Sequence, residues 1–74
     1  MPGLNFREFI EILKAHGFEL ARQESSHRRY KGSIGCETKY VTVAYHSISD
    51  DILPKTLASM IRQSGLPKRL FRKS

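Results

Sequence analysis

The chain has 74 residues, 39% apolar and 27% charged, with a formal net charge of +6 at pH 7. This composition suits one small folded domain over residues 1–74 and excludes both a disordered chain and a second domain. No apolar run is long enough to span a membrane, and no secretory signal is evident. The single cysteine, Cys36, allows no internal disulfide, so a reducing cytoplasm is the expected compartment.

The first predicted element is a helix. Asn5 suits an N-cap position, with Glu8 three residues on to complete a capping box. Phe6, Phe9, Ile10 and Leu13 recur at the spacing of one helical face. Gly17 reads as its left-handed stop, and His16 just before it favours the negative end of the helix dipole.

Three strands are expected next. Phe18 to Gln23 alternates, placing Phe18, Leu20 and Arg22 on one side. Glu24-Ser25-Ser26 supplies a turn, and His27 to Lys31 forms a second strand of unusually polar composition. Gly32-Ser33-Ile34-Gly35 is expected to be a loop, because glycine is frequent in it. Lys39 to Tyr45 is the clearest strand, rich in β-branched and aromatic residues. His46 to Asp51 is turn-like.

A second helix is expected to start near Pro54, with Asp50 and Asp51 upstream to complement its dipole. Leu53, Leu57, Met60 and Ile61 form its apolar stripe, and Gly65 and Pro67 end it. Leu70 and Phe71 are expected to fold back as an anchored last turn.

The order is therefore helix, three strands, helix. Short connections require antiparallel pairing, since a parallel return needs a long crossover. The predicted class is α+β: a three-stranded antiparallel sheet with both helices on one face, leaving the other face to a partner. Alternation sets His27, Arg29 and Lys31 against Ser26, Arg28 and Tyr30, but does not say which set faces outward.

Thirteen Lys and Arg stand against seven Asp and Glu. The excess gathers at Arg22, Arg28, Arg29 and Lys31, and again at Lys68, Arg69, Arg72 and Lys73. Such clusters suit phosphate, although an acidic protein partner would be served as well. His27 lies inside the first cluster, and histidine is the side chain best able to move protons near neutral pH.

Other chemistries find little support. The histidines show neither HxH nor HExxH spacing, so no metal site is expected, and neither a P-loop nor a dinucleotide glycine pattern is present. A serine hydrolase needs a pocket and an oxyanion hole that so small a domain rarely supplies. Cys36 has Glu37 beside it, which disfavours a thiolate. Metal-free RNA cleavage demands less, because the ribose 2′-hydroxyl is itself the nucleophile. His27 would serve as base or acid, while Arg22, Arg28, Arg29 and Lys31 hold the phosphate. Tyr30 would stack on a base or donate from its hydroxyl, unless it simply packs in the core.

Several segments together resemble the HicA toxins, small messenger-RNA interferases of type II toxin-antitoxin modules. They are Gly17-Phe18, Arg22, Ser26-His27 with Tyr30, Val41-Thr42-Val43 leading to His46, and Leu53-Pro54-Lys55-Thr56-Leu57 through Ile61-Arg62-Gln63-Ser64-Gly65-Leu66. The resemblance implies a fold like the double-stranded-RNA-binding domain, and an endoribonuclease whose essential histidine is His27. It places Ser26 and His46 with the phosphate-binding residues, with no metal or cofactor. It further implies a HicB-type antitoxin as partner, with DNA met only indirectly through the toxin-antitoxin complex. Three positions depart from the family pattern: Ser25 replaces a glycine, Ala44 a proline and Lys55 a glycine. Two other readings compete with the ribonuclease: a noncatalytic RNA-binding module, and a basic interaction protein for an acidic partner.

Overall fold

The structure is a computed structural model that describes residues 4–71. Helix α1 (Phe6–Ala15) is followed by strands β1 (Glu19–Glu24), β2 (His27–Ile34) and β3 (Glu37–Ala44), helix α2 (Pro54–Ser64), and a 3-10 turn over Lys68–Phe71. The strands form one antiparallel sheet in the order β1-β2-β3. The expected α-β-β-β-α architecture is thus present, and Arg72 and Lys73 of the second basic cluster lie outside the described residues.

Helix α1 begins with the reciprocal cap expected from its sequence. The Glu8 N–H donates to Asn5 Oδ1 at 2.8 Å, and the Asn5 N–H donates to Glu8 Oε1 at 3.1 Å. Both bonds satisfy donors that the first helical turn leaves open. At the other end Gly17 takes φ 88°, and His16 Nδ1 donates to the Ile12 carbonyl at 2.9 Å.

The core joins both helices to one side of the sheet. Phe6, Phe9, Ile10 and Leu13 of α1 meet Tyr30 of β2, Val41 and Val43 of β3, and Met60 and Ile61 of α2. Phe71 closes this cluster, stacked on Phe9 with ring centroids 4.9 Å apart, so the last turn is anchored as its sequence suggests. Ser64, fully buried, is satisfied by donating from its hydroxyl to the Ile61 carbonyl at 2.6 Å.

Three local expectations are corrected. Gly32-Ser33-Ile34 continues β2 instead of forming a loop, and the turn is confined to Gly35 and Cys36. The reason is the ring of Phe18, which lies so close to Gly32 that a Cβ there would come within 2.6 Å of it. Glycine here makes room for an aromatic ring against the strand. Leu53 lies outside the apolar stripe: it stands at the N-cap of α2 and is 72% exposed. Leu20 and Arg22 do not share a side, because the pairing of β1 with β2 shifts between them. Leu20 pairs with Tyr30 and Arg22 with Arg29, leaving Ala21 as the extra residue of a bulge.

Candidate functional site

Register decides which residues of β2 are available to a partner. Tyr30 and Gly32 are buried and Arg28 is half-buried, whereas His27, Arg29 and Lys31 are exposed on the opposite face. On β3 the same alternation buries Val41 and Val43 and exposes Thr38, Tyr40, Thr42 and Ala44. The set left open by sequence alternation is thereby resolved. The imidazole of His27 stands on the helix-free face, at the first position of β2.

The bulge at Ala21 completes this face. An unbroken alternation from Leu20 would place Arg22 on the packed side. The extra residue instead brings Arg22 opposite Arg29, and Glu24 opposite His27. Arg22, Glu24, His27, Arg28, Arg29 and Thr42 line a depression of about 300 Å³. Within it Arg22 Nη2 donates to Glu24 Oε2 at 3.3 Å. Both side chains are well exposed, so this ion pair contributes little stability and leaves Arg22 free to exchange partners.

Two members of the expected set have packing roles. Tyr30 is only 4% exposed and belongs to the core, which leaves no ring face for a nucleic-acid base. Burial, with a smaller effect from Tyr45, raises its phenol above the ordinary value near 10.0, against the opposing charge of Arg28. Arg28 reaches the depression from the packed side. Its guanidinium lies 4.3 Å from the Tyr45 ring centroid, and its Nη1 donates to the Ser26 carbonyl at 3.3 Å.

The turn holding Ser25 and Ser26 presents His27. Ser25 has φ 55°, in the left-handed region that side chains avoid and glycine tolerates. A positive φ at the first of two central residues suits a type II′ hairpin turn. This is the position where the HicA pattern carries glycine. Ser26 extends the neighbouring ladder by one bond, since its carbonyl accepts the Tyr45 N–H at 3.3 Å. His46 is exposed and lies two residues beyond Ala44, the cross-strand partner of His27.

Tyr40 and Thr42 share the His27 face but are not in the expected set. Neither residue type announces itself within a β-rich segment, and only the β2-β3 register places them beside Lys31 and Arg29. A second depression, of about 340 Å³, continues from Thr42 to Lys55, Thr56 and Gln63 of α2. There Gln63 Oε1 accepts the Thr42 N–H at 3.3 Å, covering one donor on the outer edge of β3.

Among the described residues no three His, Cys, Asp or Glu side chains are placed to share a metal ion, and no helix is long and apolar enough to cross a membrane. A search of curated proteins finds no match. A family profile described as the HicA toxin of bacterial toxin-antitoxin matches residues 6–66, from the start of α1 to just past α2. That span includes the bulge, the Ser25-Ser26 turn, His27 and the whole sheet. The chain belongs to the HicA family of bacterial toxin-antitoxin toxins.

Proposed function

We propose that this toxin is a metal-independent endoribonuclease that cleaves messenger RNA and arrests growth until a HicB-type antitoxin neutralises it. The observation that carries the reading is the placement of His27, exposed on the open sheet face with Arg22 and Arg29 at the same depression. In RNA the nucleophile comes with the substrate. His27 accepts the 2′-hydroxyl proton as that oxygen bonds to the adjacent phosphorus. The bond from phosphorus to the 5′-oxygen breaks, and the leaving oxygen takes a proton from solvent.

Arg22 and Arg29, at the His27 depression, hold the phosphate and offset the charge that grows on it. Lys31, four residues along β2 from His27, contacts the backbone further on. Ser26, adjacent to His27 in the chain, and His46, two residues beyond the cross-strand partner of His27, contact the RNA backbone as well. Contact with DNA is indirect, through the toxin-antitoxin complex, and the cytoplasm is the setting.

The test is cleavage of RNA by purified wild type and His27→Ala, alongside growth after induced expression. Loss of general acid-base help lowers cleavage by about a hundred to ten thousand fold. Equal cleavage by the two proteins, or intact RNA with both, sinks the proposal.

A further inference from the structure

On the open face, His27, Arg29 and Lys31 follow one another at every second residue of β2. Beside Lys31, directly across on β3, stands Tyr40. It shares the exposed face of the sheet with His27, Arg29 and Lys31, and it is 45% exposed. The guanidinium carbon of Arg29 lies over this ring, 5.2 Å from its centroid, within cation-π range. An aromatic ring set among cations on an open sheet face is the arrangement that binds single-stranded RNA. The cations follow the backbone, and the ring takes an unstacked base.

We propose that Tyr40, with Arg29 against it, is a base-stacking platform for single-stranded RNA, remote from the bond cleaved. The inference rests on the ribonuclease reading and adds a residue that binds substrate without touching the reacting atoms. Tyr40 is four residues along β3 from Ala44, which faces His27. At about 3.4 Å per residue the separation along the strand is roughly 14 Å. At the roughly 3.4 Å rise of a strand within duplex DNA that distance equals about four nucleotides, and an unstacked, extended RNA strand covers it with fewer. The platform therefore engages a base up to about four nucleotides from the scissile phosphate, while Lys31 meets the backbone beside it.

The test separates binding from cleavage by using the full chain carrying His27→Ala. Its affinity is measured for a labelled, unstructured RNA oligonucleotide and for an abasic ribose-phosphate oligomer of equal length. Adding Tyr40→Ala is expected to weaken binding of the base-bearing RNA by about five- to a hundredfold and to leave the abasic oligomer unaffected. Tyr40→Trp restores the loss. Unchanged affinity for the base-bearing RNA overturns the platform, and so does an equal loss on the abasic oligomer. With His27 intact, Tyr40→Ala raises KM and spares kcat; the opposite split also overturns it. If RNA binds through Tyr40 but the wild type does not cleave it, the platform stands and the ribonuclease reading falls. If no RNA is bound at all, both fall together.

Discussion

The guanidinium of Arg28 lies 4.3 Å from the Tyr45 ring centroid, and that ring stacks in turn on Phe6 at 5.1 Å. Arg28 thereby ties the β1-β2 hairpin to the start of α1, although it sits between two residues of the open face. Arg28→Ala is expected to lower stability by about 1 kcal/mol through lost cation-π contact and side-chain packing. Arg29→Ala, on the exposed side, should leave urea unfolding nearly unchanged. It should weaken RNA binding and reduce the salt slope of affinity by about one. Paired urea titrations and salt-dependent binding curves check both halves. A larger stability loss for Arg29→Ala than for Arg28→Ala would reverse the assignment.

Ser25 carries the strain of a left-handed backbone, with φ 55°. A side chain there costs roughly 1–2 kcal/mol, part of which glycine gives back through its freer unfolded chain. Ser25→Gly is therefore expected to stabilise the fold by about 0.5–1 kcal/mol, read as a higher urea midpoint at constant slope. His27 stays in place, so RNA cleavage should persist. A drop in the midpoint would show that the serine side chain supplies something the backbone geometry does not.

Gly32 has the opposite character. A Cβ would meet the Phe18 ring at 2.6 Å, and Phe18 is fully buried. Gly32→Ala must push a packed ring aside, with an expected loss of about 1–3 kcal/mol. Thermal unfolding measures it. A melting temperature equal to wild type would mean that the ring has room to move.

The buried phenol of Tyr30 gives the alkaline limb of stability its direction. Its pKa is raised above 10.0 in the folded state, chiefly by burial. Above that ordinary value the unfolded chain releases the proton first, so it binds fewer protons than the native state. Stability is then fully present below about pH 10 and falls as pH rises through the folded value. Urea midpoints at increasing alkaline pH should decline for wild type and decline less for Tyr30→Phe. Parallel curves would remove Tyr30 as the cause.

The helices and their order could be read from the chain because their signals are local. Asn5 with Glu8, the Phe6-Phe9-Ile10-Leu13 stripe and Gly17 all act within a few residues of one another. The candidate histidine was legible for the same reason, as one imidazole within a run of cations. The bulge at Ala21 was not, because it depends on how two strands pair and leaves no mark on β1 alone. Gly32 looked like a loop residue because the ring that requires it, Phe18, lies far from it in sequence. Tyr40 and Tyr30 are the same residue type on neighbouring strands, and pairing register alone sends one outward and the other into the core.

The alternation along His27–Ile34 also bears on how such a toxin can diverge. His27, Arg29 and Lys31 answer to what the protein meets in solution, while Tyr30 and Gly32 answer to the interior. Neighbouring codons are thus under separate constraints. On the ribonuclease reading, exchanges at Arg29 and Lys31, though not at His27, would retune which target is bound while the interior keeps its shape. A lineage can explore new specificities on this strand in single steps, each variant already a folded protein.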